Sequence, residues 1–279
     1  MTPQGAATRD LSACRRIVVK LGSQVVLDGE GSPAMSRLYG LLEGVAALWK
    51  EGRELILVTS GAVGLGGRQL GMKPRALAEK QACAAVGQGQ LMAIYQEGFG
   101  RMGIRAGQVL LTEDDFADPL RHQNLQRTLG TLLALRAVPI LNENDAVSTL
   151  ELERGEQGQP PIFGDNDRLS AMVAMDLGAD LLVLLSDVEA LCTRNPALYA
   201  DAEPIREIPA GEVPLAATEG LSSLGRGGMG SKVEAARLAA ASGIAVLLAN
   251  GKEHHILERL LAGEPRGTHF HGAPKPRPS

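Results

Sequence analysis

Two hydrophobic rhythms alternate along this chain, and their alternation predicts its fold class. Short, nearly continuous runs of aliphatic and β-branched residues at 17–21, 55–59, 108–112, 138–141, 181–186 and 244–248 read as strands. Between them apolar residues recur at helical spacing. Leu38, Leu41, Leu42, Val45, Leu48 and Trp49 form one such stripe after Met35, expected in the core, with no functional role for Trp49. Residues 76–100 are Ala- and Gln-rich and predict a long helix, used for packing or as an oligomer surface. Helices are also expected over 120–135, through Leu169, Met172, Val173 and Leu177, over 233–241, and over 256–261, the last closing the fold. Strands alternating with helices predict an α/β chain with a mostly parallel open sheet covered by helices on both faces.

Polar residues gather where these elements meet. Lys20 ends the first strand before Gly22-Ser23; it is either simply solvated or aimed at an anion held by the turn amides. The second strand runs into Ser60-Gly61-Ala62-Val63-Gly64, a turn that a ligand can approach or a close helix–sheet crossing. The fourth strand ends in Asn142-Glu143-Asn144-Asp145, four hydrogen-bonding side chains at a strand's carboxyl end; the alternative is a polar turn. Asp165, Asn166 and Asp167 precede the stripe that starts at Leu169 and so occupy a helix cap and first turn. A cap needs only one such residue. Three of them, followed by a strand ending in Ser186-Asp187, also suit a site for a metal or a polar substrate. Residues 151–161 form a Gly/Gln/Pro-rich loop expected to be mobile.

Residues 223–232 read SLGRGGMGSK. They approach the phosphate-loop pattern G-x4-G-K-[ST], but Ser231 and Lys232 stand in the reverse order and no clear strand precedes them, so that motif is rejected. A glycine-rich segment opening a helix still offers bare amides, a positive dipole end and a lysine to a phosphate. With Lys20 and Lys232 near opposite ends of the chain, the pattern supports a phosphate-handling enzyme.

Composition narrows the choice. The 279 residues suffice for one large domain or two lobes sharing a core. Aromatics are only 3%, and 28 basic against 32 acidic residues give a net charge of −4, which argues against stacking on or gripping a nucleic acid. Cys14, Cys83 and Cys192 lie far apart without metal-ligand spacing, so a reduced, cytoplasmic protein is expected and no protein metal ligands are assigned. No apolar run approaches membrane-spanning length. Residues 1–14 read as a flexible leader and 271–279 as a flexible, Pro-containing tail.

The segments VVKLGS (18–23), LVTSGAVGLG (57–66), KQACAAVGQ (80–88), PILNENDAV (139–147), FGDNDRLSA (163–171), LLSDVEAL (184–191) and GRGGMGSK (225–232) carry a resemblance. In this order they resemble the glutamate 5-kinase branch of the amino acid kinase family over about residues 15–270. The resemblance implies ATP- and Mg²⁺-dependent phosphorylation of the side-chain carboxylate of L-glutamate, the first step of proline synthesis. It implies one kinase domain over 15–270, with an acceptor lobe at about 15–165 and a nucleotide lobe at about 166–270. By match, Lys20 and Lys232 would hold the phosphoryl group and Asp167 would orient both ammonium groups. Ser60, Asp145 and Asn166, with Asn142 and Asp165 close by, would hold glutamate. Lys20, Ser186, Asp187, Arg226, Gly227, Gly228, Met229, Gly230, Ser231 and Lys232 would face the nucleotide.

The resemblance further implies a homo-oligomer, dimer or tetramer, inhibited by proline and coupled to glutamyl phosphate reductase. Its partners would include neither nucleic acid nor membrane. Many members carry a C-terminal PUA domain, for which this sequence leaves no room. The 151–161 loop is longer than in short-loop members, and Gln24 and Arg226 replace residues more frequent in the family. Alternatives are a kinase of the same fold acting on aspartate, acetylglutamate, carbamate or uridylate, and a catalytically silent amino-acid sensor.

Overall fold

Continuous apolar runs become strands here because both of their faces are covered. The structure, a computed structural model, describes residues 11–147, 166–212 and 228–274. Its strands are β1 (Arg16–Leu21), β2 (Glu54–Val58), β3 (Arg105–Leu111), β4 (Ala137–Glu143), β5 (Leu181–Ser186), β6 (Glu207–Ile208), β7 (Ala245–Asn250) and β8 (Thr268–Phe270). They form one sheet in the order β3-β4-β2-β1-β5-β7-β8-β6. All neighbouring pairs are parallel except β7 and β8.

Ile17, Val19 and Leu21 of β1 enter one apolar core, while Val18 enters the core on the other face. β5 divides the same way, with Leu181, Val183 and Leu185 on the first face and Leu182 and Leu184 on the second. The helices are α1 (Ser23–Val26), α2 (Met35–Lys50), α3 (Ala62–Gln69), α4 (Leu77–Arg101), α5 (Asp114–Ala117), α6 (Pro119–Ala134), α7 (Asn166–Asp176), α8 (Met229–Ala241) and α9 (Ile256–Leu261). Helices α2, α4 and α9 bury their apolar stripes in the first core, and α6, α7 and α8 bury theirs in the second. The expected α/β sheet covered on both faces is therefore observed. None of the described helices is long and apolar enough to cross a membrane.

Local chemistry sets several boundaries. Asp118 caps α6 by accepting a 2.8 Å hydrogen bond from the Arg121 amide, and Pro119 follows at the first helical position. Glu79 accepts from the amides of Arg75 and Ala76 at 2.7 and 3.2 Å, which ties down the start of α4.

The structure corrects some sequence expectations. β4 continues through Asn142 and Glu143, so the first two residues of the polar cluster belong to the strand instead of following it. Residues after Gly61 are not merely a turn: they form α3, which presses closely against α4. A Cβ built on Gly66 would lie 1.8 Å from the Cys83 carbonyl oxygen, and one on Gly87 would lie 1.9 Å from that of Ala62. Only glycine permits this backbone-to-backbone crossing.

α9 does not close the fold, because β8 follows it and returns antiparallel to β7. Trp49 is half-buried and packs against the edge of the first core, its ring 4.3 Å beneath the Arg136 guanidinium. Within the expected leader, Leu11 is buried in the first core. Within the expected tail, the His271 and Ala273 amides donate to the Ile208 and Ala240 carbonyls. The 151–161 loop lies outside the described residues.

Candidate active site

The strand order creates the site. From β1 the chain builds β2, β4 and β3 on one side and then crosses to place β5 on the other. Such a reversal, between β1 and β5, is where open α/β sheets place a ligand site, at the carboxyl ends of the strands. Register places Lys20 of β1 beside Val58 of β2 and Leu184 of β5, near these strand ends. The turn after Lys20 rests on β5: the Gly22 amide donates to the Leu185 carbonyl at 3.0 Å. A Cβ on Gly22 would stand 3.2 Å from that oxygen and 3.8 Å from Lys20 Nζ, so a side chain would crowd the lysine head.

Asp167 occupies the first turn of α7 and is fully buried, at 0% exposure. Its Oδ1 lies 2.6 Å from Lys20 Nζ, and its Oδ2 lies 3.1 Å from Lys232 Nζ. The Ser231 hydroxyl also reaches Oδ2, at 3.2 Å, and the Gly228 carbonyl at 2.9 Å, which joins the start of α8 to the same point. Burial by itself would raise the Asp167 carboxyl. The charges and hydrogen bonds of Lys20 and Lys232 outweigh burial and hold it below the ordinary carboxylate value. One carboxylate therefore holds two buried ammonium groups together. Two ammonium groups held side by side at strand and helix ends are an arrangement that can stabilise an anion such as a phosphoryl group.

A neutral network adjoins it. Asn166, next to Asp167, donates through Nδ2 to Ser60 Oγ at 3.0 Å and to Asn142 Oδ1 at 3.1 Å. Asn142 in turn donates to Gln88 Oε1 at 2.8 Å. Ser60 is held from behind, where the Thr59 hydroxyl meets the Tyr95 hydroxyl at 2.6 Å and the Thr59 amide donates to Leu141 at 2.9 Å. Burial pushes the Tyr95 phenol well above its ordinary value and keeps it a neutral strut. Among the described residues, the buried Asn166 Oδ1 has no hydrogen-bond partner. It is an acceptor available to a ligand's N–H or ammonium group.

The expected residues thus separate into groups. Lys20, Asp167, Ser231 and Lys232 meet in one cluster, and Ser60, Asn142 and Asn166 meet in another joined to it through α7. Asp145 lies half-buried in the turn after β4. Ser186, buried at the end of β5, donates to the exposed Asp187 at 3.3 Å and faces Asn250 of β7 in register. Gly228, Met229 and Gly230 open α8, half-buried. Asp165, Arg226 and Gly227 lie outside the described residues. Gln88 and Tyr95 were not foreseen as parts of the site: both sit in the long helix α4, where nothing in their spacing sets them apart from packing residues.

A model described as the amino acid kinase family matches residues 15–250. The chain belongs to this family. Among curated members, the glutamate 5-kinase of Thermus thermophilus is 45% identical over 261 residues, covering 93% of this chain and 68% of that protein. The glutamate 5-kinase of Chromohalobacter salexigens is 45% identical over 273 residues, covering 96% and 70%. Solved structures with the same fold include carbamate kinase from Giardia lamblia bound to AMP-PNP, with a TM-score of 0.65 at 16% identity, covering 94% of this chain and 100% of that one. The UMP kinase of Bacillus anthracis gives a TM-score of 0.58 at 16% identity, covering 94% and 97%. At that identity the two structures speak for the fold of this amino acid kinase alone.

Proposed function

We infer that this protein is a glutamate 5-kinase, transferring the γ-phosphoryl group of ATP to the side-chain carboxylate of L-glutamate as the first step of proline synthesis. The observation that carries the chemistry is the buried Asp167 holding Lys20 and Lys232 side by side. Identity of 45% to curated glutamate 5-kinases carries the choice of acceptor.

In the reaction a carboxylate oxygen of glutamate bonds to the γ-phosphorus, the bond from that phosphorus to the β,γ-bridging oxygen breaks, and ADP leaves. The acceptor is already ionised, so no base is needed. Asp167 suits that requirement, because both of its oxygens are engaged and its carboxyl is held below the ordinary value, which makes it a poor proton acceptor. Its work is to hold two ammonium groups where negative charge spreads over the phosphoryl oxygens in transit. Preorganising them removes the need to reorient water or side chains during the step.

The acceptor side is assigned to Ser60, Asn142 and Asn166, with Asp145 and Asp165. The free Asn166 Oδ1 is suited to the ammonium group of glutamate. The nucleotide side is assigned to Ser186, Asp187 and the segment from Arg226 to Lys232. The acceptor lobe would span about 15–165 and the nucleotide lobe about 166–270, with Asn166 at their boundary reaching to the acceptor side. Mg²⁺ would neutralise charge on the nucleotide phosphates. Asp167 has no oxygen to spare for it, so phosphate oxygens and water would form most of its shell.

Proline, which retains the amino-acid head group of glutamate, is proposed to compete with it at the acceptor pocket. The product is a reactive acyl phosphate, which favours direct hand-over to a glutamyl phosphate reductase. A cytoplasmic homo-oligomer completes the proposal.

An ATP-dependent hydroxamate assay across acceptors tests the reading. Glutamate should exceed N-acetylglutamate and aspartate by at least about a hundredfold in kcat/KM. Acetylation removes the charge that the pocket's acceptors would pair with, and aspartate holds its carboxylate about 1 Å out of line. Comparable turnover of either competitor would refute glutamate as the acceptor.

A further inference from the structure

At the sheet edge farthest from β3, three side chains able to ligate a metal converge in a place that phosphoryl transfer does not use. Parallel pairing of β6 with β8 sets Glu207 directly opposite His269. His271, two residues further on, projects from the same face as His269. The Glu207 carboxylate oxygen Oε2 lies 2.7 Å from His271 Nε2 and 3.2 Å from His269 Nδ1. One ligating atom from each residue lies within 4.8 Å of the other two, and the imidazole rings are 4.2 Å apart between centroids.

The strands hold this tripod firmly. The His269 and His271 amides each donate at 2.9 Å to the neighbouring strand, to the carbonyls of Arg206 and Ile208. The His269 side chain is 8% exposed, whereas those of His271 and Glu207 are 48% and 41% exposed. One ligand is thus anchored in the fold and two stand at its rim. β5 and β7 separate the cluster from Lys20 on β1. Antiparallel pairing sets His269 opposite Leu247 and Phe270 opposite Val246, so His271 points toward the amino end of β7, away from the catalytic strand ends.

We propose that Glu207, His269 and His271 form a binding site for a divalent transition-metal ion of the zinc class, distinct from the kinase centre. Two imidazoles and one carboxylate are a donor set that zinc accepts, and three protein ligands leave a position for water or an outside ligand. Zinc–ligand distances of about 2.0–2.2 Å place neighbouring donor atoms about 3.3 Å apart in a tetrahedral shell, close to the spacing already present. A bound ion would clip the two short outermost strands together and secure the end of the sheet after α9.

The test uses the full chain without an affinity tag, stripped with a chelator and titrated with Zn²⁺ against a chromophoric competitor. We expect one ion per chain, a rise in the unfolding temperature on adding Zn²⁺, and visible Co²⁺ absorption typical of a low-coordinate nitrogen and oxygen site. His271→Ala and Glu207→Gln both change exposed side chains and should leave the fold intact. Each should weaken Zn²⁺ binding at least tenfold, on the order of the loss seen when metal sites are perturbed. Absence of stoichiometric binding, or affinity unchanged in both variants, would overturn the proposal; the second outcome would move the ion elsewhere, for example to the cysteines.

Discussion

Asp167 is the residue on which the site depends, and its environment dictates what replacing it should do. Asp167→Asn keeps the shape but removes the carboxylate that both buried ammonium groups contact, a loss of about 3–5 kcal/mol of stability. Urea unfolding of the two proteins at neutral pH measures it directly. The carboxyl is lower in the folded chain than in the unfolded one, so its stabilising effect is fully present above the unfolded value of about 3.9. It fades as the pH falls through the folded value. The gap between wild type and Asp167→Asn should therefore stay level from about pH 5 to 8 and narrow below about pH 4; a gap that closes near neutrality would contradict the ion cluster.

Asn166→Ala should act differently, raising KM for glutamate roughly tenfold to a hundredfold while ATP binding, followed by calorimetry, holds nearly constant. The amide joins Ser60 to Asn142 and carries the available acceptor, and loss of such bonds costs about 1.5–3 kcal/mol when a charged group is involved. Equal loss of ATP affinity would refute the division into acceptor and nucleotide sides. At this scale the residues of the candidate site were legible because Lys, Asp and Asn stand out at strand and helix ends. Gln88 and Tyr95 were not, since a polar side chain inside a long helix carries no mark of the partner that folding brings to it.

Among the elements, the crossing of α3 and α4 is the most demanding, and it bears on the acceptor side through Ser60, two residues before α3. Gly87→Ala would drive a methyl group into the Ala62 carbonyl, forcing the helices apart. We expect a loss of about 1–3 kcal/mol or more together with a raised KM for glutamate. Gly89 lies on the same helix with nothing within 4 Å of its missing Cβ. Gly89→Ala should stabilise the protein by up to about 1 kcal/mol, as alanine does at an exposed helical position. Thermal unfolding of the pair separates crowding from helix propensity, and equal effects would rule out the tight crossing.

The same segment shows where pattern reading ran out. AVGLGGRQ carries three glycines, which weaken a helix signal, and the partner that makes them necessary lies on another element. β6 and β8 escaped for the opposite reason, having two and three residues and no apolar run of their own. The long strands were legible because burial on both faces writes a continuous apolar run into the sequence. That logic also led Asn142 and Glu143 to be read as following β4, when the ladder in fact continues through them.

Over the whole molecule, the proposed kinase centre forms because the two sides of the sheet close on one carboxylate. Lys20 comes from the central strand, Asp167 from the helix that crosses to the other side, and Lys232 from a helix over that side. Sequence placed these residues at element ends; their meeting point follows from the reversal of strand order between β1 and β5, which no local pattern encodes. The most direct test is single-turnover phosphoryl transfer by rapid quench, with wild type, Lys20→Ala, Lys232→Ala and the double variant. Each single change should slow the step about 10²–10³-fold, because each ammonium meets charge that peaks in the transition state. ATP affinity should change far less than the rate, and the double variant should lose less than the product of the two, since Asp167 couples them. A Lys232→Ala enzyme that transfers phosphate at a near-normal rate would contradict the role given to the Lys20–Asp167–Lys232 cluster.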